Sequence, residues 1–157
     1  MSERDGRSLR RYLLMGAVVA GVALLDQLTK SWAVRELSER SIDLFWTLRL
    51  DLSFNSGFAF SQGQGLTRYI TVLVILLIAG LVWWSRGVYS WPMAIGLALL
   101  IGGAIGNLSD RLFRGHGGAV VDFIDPQWWP VFNVADIAVS CGAVLLVISS
   151  FREPDQA

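Results

Sequence analysis

Two aspartates in the stretch GGAVVDFIDPQWWPVFNVAD stand where carboxylates are costly to place, and the search for chemistry starts there. Asp122 is flanked by Val120, Val121, Phe123 and Ile124. Asp136 lies among Phe132, Val134, Ala135 and Ile137, and leads into the apolar run AVSCGAVLLVISSF. An ionisable group at the mouth of a membrane span needs a partner and marks a functional position. Two carboxylates brought together cannot both ionise readily, so one keeps a proton while the other serves as base. The ionised member can draw a proton from water as it attacks a carbonyl. The protonated member can hydrogen-bond the carbonyl oxygen and then help protonate the leaving amine. The expected chemistry is therefore peptide hydrolysis, and the titration belongs to the pair.

Further polar clusters fall at the same ends of apolar runs. DQLTK places Asp26 and Lys30 four residues apart, on one helix face. GNLSDR gives Asn107 and Arg111 the same spacing, and FNVAD places Asn133 three residues before Asp136. Polar groups at membrane depth find partners inside the protein. Asp26, Asn107, Arg111, Asn133 and Asp136 are accordingly expected at one level, around one pocket. There Asn107 and Asn133 would orient substrate backbone or water, and Arg111 would brace the fold or meet a substrate head group.

Plainer readings compete residue by residue. Asp26 with Lys30 reads first as a structural pair, and Asp110 beside Arg111 as solvated or paired. Asp125 before Pro126 reads as turn chemistry. Alone, Asp122 could be a loop residue and Asp136 a helix-start carboxylate favoured by the dipole. Taken together the last two favour function, because carboxylates within membrane segments are rare.

Other chemistries lack their residues. The formal net charge is zero, which removes the basic face that nucleic acid requires. The single cysteine, Cys141, excludes a disulfide framework and a multi-thiolate zinc site. His116, in the glycine-rich RGHGG, reads as an exterior loop residue beyond reach of Cys141, against a thiol peptidase. No GxSxG elbow, metal-ligand cluster or cofactor motif is present.

The elements that must position these residues read as membrane spans. The chain is 54% hydrophobic and 17% charged, against about 25% charged for a soluble domain. Its 157 residues make one integral membrane domain, with spans at about 12–34, 69–85, 91–108 and 130–151. Trp32, Trp83, Trp84, Trp91, Trp128 and Trp129 fall at the span ends, as interfacial belts do. The expected fold is an all-α membrane protein with a small extracytoplasmic β-sheet, about 42–60, between the first and second helices. TLRLDLSFN carries that sheet, since Leu48, Leu50, Leu52 and Phe54 alternate with polar residues. Gly102, Gly103 and Gly106 suit close helix packing. The basic start and first apolar run read as an uncleaved signal anchor, because three more apolar segments follow. Arg4, Arg7, Arg10 and Arg11 hold the N-terminus inside, so both termini are expected to be cytoplasmic and both aspartates to face out.

These residues resemble a known family. DQLTK (26–30), FNSGFAF (54–60), GGAIGNLSDR (102–111), VVDFID (120–125) and FNVAD (132–136) are similar, in order, to the motif blocks of lipoprotein signal peptidase, or signal peptidase II. The resemblance implies a monomeric aspartyl endopeptidase of the bacterial cytoplasmic membrane, without a cofactor. Its substrate would be a prolipoprotein whose cysteine already carries diacylglycerol, cut on the N-terminal side of that cysteine. Asp122 and Asp136 match the catalytic dyad. Asp26, Asn55, Gly106, Asn107, Arg111, Asn133 and Ala135 match the positions lining the substrate pocket. Globomycin, a cyclic peptide, would be expected to occupy that site. Membrane lipid is the other implied partner, and a pocket opening sideways, walled by Phe58 and Phe60, would suit a diacylglyceryl chain. The rival reading is a small transporter or channel subunit relaying ions through the same carboxylates. Against it, the polar residues cluster at one face, and inverted repeats are not evident.

Overall fold

Apolar runs of this length satisfy their backbone polar groups internally, so they fold as helices. The computed structural model describes residues 3–57, 66–88 and 90–152. It contains α1 (Glu3–Glu36), β1 (Ile42–Phe45), β2 (Leu48–Asn55), α2 (Leu66–Ser85), α3 (Trp91–Phe113), β3 (Val120–Asp125) and α4 (Val134–Arg152). All four helices are long and apolar enough to cross a membrane. Large apolar side chains such as Leu24, Leu73, Leu76 and Val144 face outward, as expected when lipid is the solvent.

Helix α3 is the organising element, touching α4 and α1 extensively and α2 less so. It can do so because its glycines remove the side chains that would hold neighbours away. A Cβ at Gly102 would stand 2.9 Å from Val22 of α1, and one at Gly103 only 2.5 Å from the Ala135 carbonyl of α4. Pro92 lies in its first turn, where no intrahelical donor is lost. Beyond the expected end at 108 the helix continues to Phe113, so Asn107, Asp110, Arg111 and Arg114 form one helical stripe.

The sheet is larger than expected. It has three antiparallel strands in the order β1-β2-β3, and the third comes from between α3 and α4. VVDFID is rich in β-branched and aromatic residues, which suits a strand over a loop. A register irregularity between Leu50 and Ser53 brings Ser53 opposite Asp122. Positions 58–60 of the expected sheet, with Phe58 and Phe60, lie outside the described residues.

Helix α4 begins at Val134, later than the expected 130. Phe132 instead forms a bridge to Ile124, its N–H donating at 3.1 Å and its carbonyl accepting at 2.9 Å. The chain is thus extended up to Asn133, which starts the helix.

Candidate active site

The start of α4 is built by a reciprocal pair of bonds. Asn133 caps the helix: its Oδ1 accepts from the Asp136 N–H at 2.9 Å. The Asn133 N–H donates back to Asp136 Oδ2 at 3.1 Å. This is the capping-box arrangement, with an aspartate at the third helical position. Asn107 of α3 donates to the other oxygen, Asp136 Oδ1, at 2.9 Å. Asp136 therefore accepts two hydrogen bonds at the positive end of a helix, the surroundings an ionised carboxylate requires.

The same asparagine reaches the second carboxylate. Asn133 Nδ2 donates to Asp122 Oδ1 at 2.7 Å, and Asn55 Nδ2 of β2 donates to Asp122 Oδ2 at 3.0 Å. Asn55 is held in turn by the Gly57 N–H, 2.8 Å from its Oδ1. Asp122 and Asp136 thus converge on one residue, Asn133. The Asp122 carboxyl opens onto a cleft of about 450 Å³ whose lining includes Ser53, Asn55, Gly57, Pro130 and Val131. Burial pushes the Asp122 carboxyl up from 3.8 to about 6, and the nearby Asp136 charge adds to the rise. The bonds from Asn55 and Asn133 oppose the shift by favouring the charged form.

Beneath this pair lies a buried ionic network. Lys30, Asp26 and Asp110 are each 0% exposed. Lys30 Nζ lies 2.8 Å from Asp26 Oδ2, 3.0 Å from Asp110 Oδ2 and 2.8 Å from Asn107 Oδ1. Three acceptors satisfy the three ammonium protons. Asp26 Oδ1 accepts from the Ala135 N–H at 3.0 Å, and Asp110 Oδ2 accepts from the Val121 N–H at 3.0 Å. Arg114 Nε donates to Asp110 Oδ1 at 2.8 Å while its Nη2 meets Gln27 Oε1 at 2.8 Å, pinning α3 to α1. Two acids and two bases compensate one another, as buried charges must.

Of the residues expected around one pocket, Asn55, Asn107 and Asn133 bond directly to the two aspartates. Arg111 donates to the Gly118 carbonyl at 2.9 Å and feels the charges of Asp122, Asp110 and Asp136. Of these residues, only Asn55 and Asp122 belong to the cleft lining; Asn107, Arg111, Asn133 and Asp136 stand behind it, and Asp26, Gly106 and Ala135 are buried. A Cβ at Gly106 would fall 2.6 Å from Asp26 Oδ2, so this position must lack one for the carboxylate to sit there. Ala135 presents its backbone N–H, not a side chain, to Asp26.

Sequence reasoning undervalued Lys30, Gln27, Asp110 and Arg114. Asp110 is paired, as one of its two readings had it, but with Lys30 and Arg114 and in full burial. Its signal was present in the spacing of Asp110 and Arg114, four residues apart at the end of an apolar helix. Asp125 does serve a turn, accepting from the Gln127 N–H at 2.7 Å, and it also pairs with Arg49 at 2.8 Å. His116 lies exposed against Phe54, with ring centroids 4.5 Å apart.

Fold and site define a class: a four-helix membrane protein with paired carboxylates beside a cleft at one end of the bundle. Residues 18–152 match the family described as signal peptidase (SPase) II, and the chain belongs to that family. It is 45% identical over 154 residues to the lipoprotein signal peptidase of Rhodococcus jostii, covering 93% of this chain and 77% of that protein. With the lipoprotein signal peptidase of Mycolicibacterium smegmatis it shares 43% identity over 154 residues, 95% of this chain and 66% of the relative. A solved bacterial membrane enzyme superposes with a TM-score of 0.79 at 26% identity, over 90% of this chain and 94% of that one. The chain is therefore a peptidase and a multi-pass inner-membrane protein, which sets aside the transporter or channel reading.

Proposed function

We propose that this peptidase removes the signal peptide from diacylglyceryl-modified prolipoproteins, cutting N-terminal to the lipidated cysteine, with Asp122 and Asp136 as its catalytic pair. The observation that carries the pair is Asn133, whose backbone holds one carboxylate and whose side chain holds the other. Asp122, in its more buried and apolar surroundings, keeps the shared proton and donates it to the scissile carbonyl. Asp136 draws a proton from the attacking water and passes it to the leaving amine as the C–N bond breaks, while Asp122 takes back its proton from the gem-diol hydroxyl. Asn55 and Asn133 orient Asp122, Asn107 orients Asp136, and Arg111 lies in the field of both acids to meet polar groups of the substrate. Asp26, Gly106 and Ala135 act from below, by fixing the first turn of α4.

The sheet and cleft face the extracytoplasmic side and both termini the cytoplasm, in keeping with the four arginines that precede the first span. Pro130 and Val131 in the cleft lining offer apolar surface to a diacylglyceryl chain. One chain supplies both carboxylates and the asparagines bonded to them, so a monomer suffices for the proposed chemistry. A globomycin-type cyclic peptide would fill the same cleft. Cleavage of paired synthetic precursors by the purified protein tests the substrate assignment. Turnover of the lipidated peptide well above that of its unlipidated twin is expected, and equal turnover would refute the requirement for lipid.

A further inference from the structure

The dyad rests on a second pair of carboxylates that is arranged like it. Each member of the lower pair holds the backbone N–H of the residue immediately before a dyad aspartate. Asp110 holds Val121, which precedes Asp122, and Asp26 holds Ala135, which precedes Asp136. One cation, Lys30, lies between Asp26 and Asp110 at 2.8 and 3.0 Å. Its third bond, at 2.8 Å, fixes Asn107 Oδ1 and so leaves Asn107 Nδ2 to donate to Asp136.

We infer that Lys30 is a positioning residue that sets the separation and orientation of the two dyad carboxylates. The inference deepens the peptidase reading above and rests on it. Its physical basis is that Asp110 holds the strand just before Asp122, while Asp26 holds the first turn of α4. Lys30 bonds both acids from α1, beside the links that Asn133 and the Phe132–Ile124 bridge already make. If the charge is removed, Asp26 and Asp110 face one another as like charges, and they must either separate or take up a proton, which alters the bonds to Val121 and Ala135 in both cases. Val121 and Ala135 follow the groups that hold them, and the spacing of Asp122 and Asp136 changes. The Asn107 oxygen also loses its charged donor and keeps only the 3.1 Å bond from Asn133 Nδ2. Arg114 and Gln27 bind the other oxygen of Asp110, Arg111 turns to Gly118, and Gln27 Nε2 also reaches Asp26 Oδ2 at 3.3 Å. That longer bond is neutral and leaves no compensating charge between the two carboxylates.

The experiment compares purified wild type with Lys30→Met and Lys30→Ala on a synthetic peptide carrying a diacylglyceryl cysteine. Misplacement of reacting groups by about 1 Å lowers a rate by roughly 100-fold, so kcat should fall by about that factor while KM stays within about twofold. The basic limb of the kcat/KM profile should shift as well, because the charges of Lys30 and Asp136 both act on the Asp122 carboxyl, in opposite directions. Propylamine, which restores the missing ammonium of Lys30→Ala, should recover much of kcat. A merely structural lysine would lower the folded fraction but leave the kcat of the folded molecules, and the profile, as in wild type. That result would overturn the inference. Should both Lys30 variants fail to fold, Asp26→Asn and Asp110→Asn pose the same question, because each leaves an amide N–H facing a donor. Unchanged kcat and profile in both would equally overturn it. Failure of the wild type to cleave the peptide would instead sink the peptidase reading and this inference together.

Discussion

At the scale of single residues, Asn133 explains how two acids distant from ordinary solvent can share one site. It spends its backbone N–H and its side-chain oxygen on Asp136, and its side-chain nitrogen on Asp122. Asn133→Ala should therefore lose cleavage and also lose a helix cap worth about 0.5–2 kcal/mol. Parallel measurement of turnover and thermal unfolding checks this, and a variant with full activity would show that the link is dispensable. Asp122 adds a pH signature. Its proton affinity is raised from 3.8 to about 6 by burial, so between those values the folded protein holds a proton that the unfolded chain releases. The stabilising contribution is complete below 3.8 and is lost as pH rises through about 6. Asp122→Asn stays uncharged, so its unfolding temperature should gain on that of wild type across this interval. A constant difference between the two proteins would contradict the shift.

At the scale of elements, glycine content decides whether α1, α3 and α4 can approach one another. Gly106 is the sharpest case, because a methyl group there would meet the carboxylate of Asp26, which Lys30 and Ala135 hold in place. Gly106→Ala should destabilise the protein by about 1–3 kcal/mol through overpacking, and should cut activity by displacing the first turn of α4. Wild-type unfolding and turnover would refute that account of the position. The helices themselves were legible in the sequence, since length and apolar content leave few alternatives in lipid. Their ends were less so. α3 runs on through Ser109–Phe113 because buried ion pairs satisfy residues that look solvated in sequence. α4 starts late because Phe132 pairs with Ile124, a non-local contact without a local signature. β3 was hidden for the same reason: VVDFID has the composition of a strand, but its partner lies 67 residues earlier, where Asn55 meets Asp122.

At the scale of the whole molecule, the site is assembled at one end of the bundle by α1, α3, α4 and two strands. The two carboxylates proposed as the dyad stood out in sequence because a carboxylate inside an apolar run needs a reason to be there. The supporting layer was only partly so. Asp26 and Lys30 announced a pair by spacing, but their bonds to Ala135, Asp110 and Asn107 arise from packing that sequence does not display. Orientation is open to direct test in a Cys141→Ser background. A membrane-impermeant maleimide should label Gln127→Cys in intact cells and leave Arg86→Cys unlabelled. The reverse pattern would place the cleft on the cytoplasmic side.

The paired carboxylates themselves are tested most directly by substituting each one. Asp122→Asn and Asp136→Asn should each insert and fold, and each should lower cleavage of a lipidated precursor peptide by about 10²–10⁴-fold or more. Near-normal turnover in either folded variant would remove that residue from the dyad and with it the shared-proton mechanism.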